Sequence, residues 1–284
     1  MSLKQRTITG LIMGFVMIAA CLFDPITCSL LFLLINVLCL WELGTHVLTH
    51  DGTAATNLIR HSALVLIGSF FPVLAIMVWI FGQSQWWWLV YFFPMLAALL
   101  FLFELFGKSL KPFNNLGFMS LGIIYIGIPM TLAIWICSSP VAAFGGVGNY
   151  FMMAVFFMVW ASDVFAYLIG SKIGKNKMFP RISPNKTWEG TLSGVAGAIL
   201  TGYFCSLLFQ GLTLPLSFWI GAACICTVFG ILGDLVESMF KRSLGIKDSG
   251  NLLPGHGGFL DRFDAFIFVV PFIYTYIVVY FQIW

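Results

Sequence analysis

Apolar residues run along this chain in long blocks separated by short polar stretches, and the block length decides which solvent the chain is built for. A helix rises about 1.5 Å per residue, so roughly 20 apolar residues are needed to cross a hydrocarbon core about 30 Å thick. Nine blocks approach that length: about 8–23, 26–41, 63–81, 86–106, 118–137, 150–170, 191–208, 215–240 and 265–283. The first two are short and joined only by Asp24-Pro25, which predicts a tight helical hairpin, and the eighth is long with a polar last third. No internal repeat or soluble domain is visible. The pattern predicts an all-α polytopic membrane protein, a single integral membrane domain over 1–284 with about nine transmembrane helices.

Composition agrees. Hydrophobic residues make up 60% of the 284 positions and charged residues 9%, against about 45–50% and about 25% in soluble domains. Fourteen Lys+Arg against eleven Asp+Glu leave +3. So few charges cannot cover a soluble globule, which excludes a soluble enzyme, a disordered chain and a nucleic-acid partner. The seven cysteines lie in or at the ends of apolar stretches without a CxxC pair. They read as small buried apolar side chains, not as a disulfide framework or zinc site. Ile18-Ala-Ala-Cys21 resembles a lipoprotein cleavage box, but the next residues return to apolar sequence instead of opening a mature domain.

The basic residues give the expected orientation. With nine spans, the even-side segments are the N-terminus, 42–62, 107–117, 171–190 and 241–264, and they carry all fourteen Lys and Arg. The odd-side segments carry none. The positive-inside rule then places the N-terminus in the cytoplasm and the C-terminus outside. One span more or fewer before residue 171 would scatter the early charges over both sides.

Two cytoplasmic segments hold more polar detail than a connector needs. In Ser183-Pro-Asn-Lys-Thr-Trp-Glu-Gly190, Pro184 fixes a turn, Thr187 can cap the next helix and Lys186 is a point charge suited to phosphate. The simpler reading of this basic loop is a topology anchor at anionic headgroups. In Gly233-Asp-Leu-Val-Glu-Ser-Met-Phe-Lys-Arg242, the residues Asp234, Glu237, Ser238 and Lys241 fall at i, i+3, i+4 and i+7, one helical stripe. Acids on a membrane helix are costly and mark an interior or wet cavity. The glycines around His256 could present backbone N–H groups to an anion. Asp261 and Asp264 share a face at the start of the last span, although acids in a first turn are also ordinary dipole partners. Asp163 lies about 10 Å below the cytoplasmic end of the sixth span and is expected to close the same polar cavity.

Several carboxylates with many cations suit Mg²⁺ and phosphates, since magnesium takes one or two carboxylates and completes its shell with water and substrate. Two such ions could clamp an in-line displacement at phosphorus. The residues alone therefore point to phosphoryl or nucleotidyl transfer at the cytoplasmic membrane surface, with a lipid phosphate as substrate. Spans 1–148 read mainly as scaffold and 149–284 as the catalytic half.

The stretch from Ser238 to Asp264, with Lys241-Arg-Ser-Leu-Gly-Ile-Lys-Asp-Ser-Gly-Asn-Leu-Leu-Pro-Gly-His-Gly-Gly258 at its centre, resembles the signature of the phosphatidate cytidylyltransferases, or CDP-diglyceride synthases. Ser183–Gly190 resembles the companion motif of the bacterial members. Together the motifs cover about an eighth of the chain. The resemblance implies CTP + phosphatidate → CDP-diacylglycerol + pyrophosphate, in the bacterial cytoplasmic membrane. It implies Asp234 and Asp261 as metal-holding acids with Asp264 in support, and Asp163 and Glu237 as further candidates. Asp234, Asp261, Lys186, Lys241 and Arg262 would be catalytic. Asn185, Lys186, Ser238, Arg242, Lys247, His256, Gly257 and Gly258 would contact substrate, with His256 an orienting donor and no strong general base required. The implied cofactor is one or two Mg²⁺, and a monovalent cation could share the site. Implied partners are CTP, phosphatidate and membrane lipid, and two copies could form a homodimer. Two other classes stay open: another CTP- or lipid-phosphate-using membrane transferase, such as a polyprenol-type kinase, and a transporter with an intramembrane acid. The transporter fits less well, because the acids crowd at one end and the odd-side face lacks polar residues.

Overall fold

The computed structural model describes residues 3–48, 53–81, 87–107, 109–138, 147–250, 252–253 and 257–281. Helices dominate it, in the order α1 Leu3–Phe23, α2 Pro25–Val47, α3 Ala54–Gly68, α4 Phe70–Phe81, α5 Phe93–Phe106, α6 Pro112–Gly122, α7 Ile128–Cys137, α8 Gly148–Ile173, α9 Trp188–Leu208, α10 Leu216–Ser243 and α11 Leu260–Phe281. Seven helical stretches among the described residues are long and apolar enough to cross a membrane, and eight if α3 and α4 count as one bent span. The apolar part of α1, Ile8–Phe23, is shorter than the rest. The polytopic all-helical expectation holds, and each of the nine predicted blocks overlaps helix.

Three details depart from the sequence pattern, each for a reason in the chain. The predicted span 63–81 is broken, with α3 and α4 meeting at a 40° bend. Pro72, in the first turn of α4, cannot donate to the Gly68 carbonyl four residues earlier. Asn36 of α2 takes over there, donating to the Gly68 carbonyl at 3.5 Å and to Ser69 Oγ at 2.9 Å. The predicted span 118–137 runs from Pro112 to Cys137 but contains a π turn at Ile123–Gly127. It lies just before Pro129, whose missing N–H disrupts the same ladder. Finally, the loop 171–190 folds as an antiparallel hairpin, β1 Lys177–Phe179 against β2 Ser183–Thr187. The all-helical pattern gave no sign of it.

Tight helix contacts hold the second half together. On α9, a Cβ on Gly194 would crowd Ser162 of α8, and one on Gly197 would meet the Phe165 ring. In lipid there is no hydrophobic drive to associate, so small residues that let backbones approach carry this packing. Phe266 of α11, Phe156 of α8 and Phe32 of α2 form a triangle of near-parallel rings, Phe266 lying 4.0 Å from Phe156 and 5.5 Å from Phe32, with those two 6.0 Å apart. All three rings are buried. This stack is the apolar floor beneath the polar end of the bundle, where α2, α8 and α10 finish and α9 and α11 begin.

Candidate active site

The acidic stripe on α10 and the start of α11 meet at this polar end. Gly233 allows it, because a Cβ there would collide with Phe268 Cβ and lie 2.9 Å from the Asp264 carbonyl. Carboxylate oxygens of Asp234, Glu237 and Asp264 all fall within 4.8 Å of one another. Glu237 and Asp264 are buried, and Asp234 is partly exposed. Ser238 Oγ donates to Asp234 Oδ1 at 3.4 Å, so the stripe read at i, i+3, i+4 and i+7 is one face.

Two ammonium groups bracket the cluster. Lys186 reaches in from β2, 2.5 Å from Asp234 Oδ2, and donates to the Ile231 carbonyl at 3.3 Å. The hairpin is oriented at its base by Glu189, which accepts from the Asn176 backbone N–H at 3.2 Å and from Asn176 Nδ2 at 2.7 Å. Thr187 caps α9 as expected, accepting from the Gly190 N–H at 3.2 Å. On the other side Lys241 Nζ lies 2.5 Å from Glu237 Oε2 and 2.6 Å from Asp261 Oδ1.

Asp261 therefore adjoins Glu237, through a direct side-chain contact and the shared Lys241 ammonium, but falls outside the group of three whose oxygens all lie within 4.8 Å of one another. Its Oδ1 accepts from Lys241, and its Oδ2 accepts from the Ser249 and Gly258 N–H groups at 2.8 Å each. The i, i+3 spacing correctly places Asp261 and Asp264 on one helix. But Asp261 is in the first turn, beside loop N–H groups that need an acceptor, and it takes them. Glu237 stands with Asp234 and Asp264 instead. The Gly258 N–H, expected to face an anion, is likewise taken up by Asp261. Gly257 has φ +81°, and a Cβ there would press on Asp261 Oδ2. His256 lies outside the described residues.

Two cavities flank the acids and share Asp163. The larger, about 550 Å³, lies between α8, the hairpin and α9 and is lined by Asp163, Lys177, Asn185, Lys186 and Thr191. The smaller, about 180 Å³, lies between α1, α8 and α11, with Asp163, Asp261, Arg262 and Asp264 beside Met13 and Trp160. Arg242 bends back to the Ile246 carbonyl at 3.4 Å, and Lys247 is exposed on the loop before α11.

The description "Cytidylyltransferase family" belongs to the family model that matches residues 4–280. The chain belongs to this family. It is 32% identical over 273 residues to a protein of Staphylococcus haemolyticus named phosphatidate cytidylyltransferase, covering 95% of this chain and 96% of that one. Proteins of the same name from Bacillus subtilis and Staphylococcus aureus are each 39% identical, over 181 and 176 residues. Those two matches span 64% and 62% of the relatives' lengths, a little under two thirds.

The donor set suits a hard divalent cation. All three clustered groups are carboxylates, and the buried Glu237 Oε1 has no hydrogen-bond donor among the described residues. Three carboxylates this close cannot all be ionised without positive charge among them.

Two residues of the first half were not singled out from sequence. Arg60, read as a loop charge, is fully buried on α3 and pairs with Glu104 of α5 at 2.8 Å. Glu42, on α2, holds the start of α11 by accepting from the Leu260 N–H at 2.8 Å. A lone acid at the end of an apolar block carries no signal for such a partner 218 positions away.

Proposed function

We propose that this protein is a phosphatidate cytidylyltransferase of the bacterial cytoplasmic membrane, converting CTP and phosphatidate to CDP-diacylglycerol and pyrophosphate at the cytoplasmic face. The observation that carries the reading is the cluster of Asp234, Glu237 and Asp264, bracketed by Lys186 and Lys241, with Lys186 lining the larger cavity and Asp264 the smaller. The named relatives of the family have this activity in their printed name.

The larger cavity takes CTP. Its volume suits a small-molecule ligand, and Lys177, Asn185 and Lys186 offer donors to a polyphosphate. The smaller takes the phosphatidate headgroup: Arg262 meets the phosphate, and Met13 and Trp160 form an apolar lip toward the acyl chains. Asp163, common to both cavities, lies between the two substrates.

A phosphatidate oxygen attacks the α-phosphorus of CTP. A new P–O bond forms as the bond to the β-phosphate bridging oxygen breaks, and pyrophosphate leaves with those electrons. The nucleophile is already anionic, so no side chain has to remove a proton. Asp234, Glu237 and Asp264 would hold Mg²⁺, which when bound supplies charge stabilisation at the phosphate oxygens. Lys186 neutralises charge growing on the departing pyrophosphate. Lys241 holds Glu237 and Asp261 in place, and Arg262 orients the lipid phosphate. Arg242, in the last turn of α10, and Lys247, on the segment that follows, would neutralise phosphate charge.

Purified protein in mixed micelles, given CTP and Mg²⁺, should release pyrophosphate when phosphatidate is present and none when diacylglycerol or a polyprenol replaces it. Turnover with either alcohol but not with phosphatidate would overturn the assignment.

A further inference from the structure

The acids of α11 are placed by a helix from the opposite half of the chain. Glu42, on α2, is 3% exposed. Its Oε2 accepts from the Leu260 N–H at 2.8 Å and from Ser249 Oγ at 3.1 Å. Ser249 Oγ in turn accepts from the Asp261 N–H at 3.3 Å, and the Ser249 N–H donates to Asp261 Oδ2. One turn further along α2, His46 Nε2–H donates to the Ser249 carbonyl at 2.6 Å. The loop is moulded on the Glu42 carboxylate: a Cβ on Gly250 or on Gly258 would run into it.

The arrangement has a physical logic. Leu260 opens α11, and the first N–H groups of a helix have no intrahelical acceptor. Most helices satisfy them with a neighbouring side chain, whereas here the acceptor comes from another helix and carries a charge, which the helix N-terminus favours. Among the described residues, no Lys or Arg forms an ion pair with Glu42. A buried carboxylate without such a partner is a costly way to make a packing contact, since an apolar side chain would do that better. It is an effective way to fix where a helix begins. The start of α11 sets the direction of Asp261, which holds Lys241, and one turn on it sets Asp264 in the three-acid cluster.

We propose that Glu42, with Ser249 as relay and His46 as a second clamp, is a positioning residue that fixes the start of α11 and thereby the aim of Asp261 and Asp264. Glu42 touches no substrate in this account. Its effect on turnover rests on the cytidylyltransferase reading, whereas its effect on the loop does not.

The test uses the full-length protein with Glu42→Gln, which keeps the side chain's size and removes its charge. Hydrogen exchange should accelerate in peptides covering residues 249–261 and stay as in wild type over α8 and α9. The kcat should fall about 10- to 100-fold, the range for losing a group that orients metal ligands, and half-activation by Mg²⁺ should need more metal, with the KM for CTP unchanged. Ser249→Ala should shift the same readouts in the same direction. The double variant should be no worse than the more impaired single one, because both act through one chain of contacts. Wild-type exchange in the loop of Glu42→Gln would overturn the proposal, as would wild-type kcat and Mg²⁺ activation per folded molecule, or additive losses in the double variant. If Glu42→Gln does not fold, Ser249→Ala decides, and unchanged kcat and exchange there would overturn the relay. If wild-type protein shows no turnover of phosphatidate, the functional reading fails, and the exchange measurement still decides whether Glu42 holds the loop.

Discussion

Replacing Lys186 with Met separates the charge it brings from the space it fills. The ammonium is 2.5 Å from Asp234, with the two side chains 22% and 41% exposed. A pair this open contributes about 1 kcal/mol or less to stability, so the variant should fold and unfold much as wild type does. Its role at the nucleotide is larger. Lys186 lines the 550 Å³ cavity assigned to CTP, and a charge-assisted contact to phosphate is worth about 1.5–3 kcal/mol. At about 1.4 kcal/mol per decade this is roughly a tenfold to hundredfold fall in kcat/KM for CTP. Part of it should appear in kcat, because charge builds on the pyrophosphate as the bond breaks. Steady-state rates with CTP varied at saturating phosphatidate, then the reverse, read both parameters. Unchanged CTP kinetics with weakened phosphatidate saturation would refute the reasoning and put Lys186 at the lipid headgroup.

Asp234→Asn and Asp264→Asn each keep side-chain size but remove a charge from the three-acid cluster, so each should abolish turnover while the protein stays folded; near-wild-type activity at limiting Mg²⁺ would remove that aspartate from the metal site. Lys241→Met leaves Glu237 and Asp261 without the ammonium they share, and breaking a buried pair from one side costs about 3–5 kcal/mol, which thermal unfolding in detergent should register as a clear loss. Nine spans, the number expected from the sequence, would put the termini on opposite sides, so accessibility of single cysteines placed at positions 2 and 284, in a background without reactive cysteines, should differ; equal labelling from one side would sink that count.

How much of this was legible in the sequence depended on the range of the interaction. The Asp234–Glu237–Ser238–Lys241 stripe could be read because helical spacing alone brings those residues together, and the structure has them on one face of α10. The Thr187 cap is equally local. Asp261 shows where such reasoning stops. Its spacing to Asp264 gives a shared helix, but not the loop N–H groups that occupy its Oδ2. The break at Ser69 needed both Pro72 and Asn36 of another helix. Arg60 was counted with loop charges because its partner Glu104 is 44 positions away. Glu42 was passed over for the same reason, and with it the contribution of the first half of the chain to the site.

The central claim is that the cytidylyl group, not the terminal phosphate, moves from CTP to the lipid. Purified protein should be supplied with phosphatidate, Mg²⁺ and CTP carrying radioactive phosphorus at either the α or the γ position, and the lipid phase then counted. The account predicts that α label enters the lipid while γ label stays in water as pyrophosphate. Label in the lipid from γ-labelled CTP, with none from α-labelled CTP, would mark a lipid kinase and contradict it.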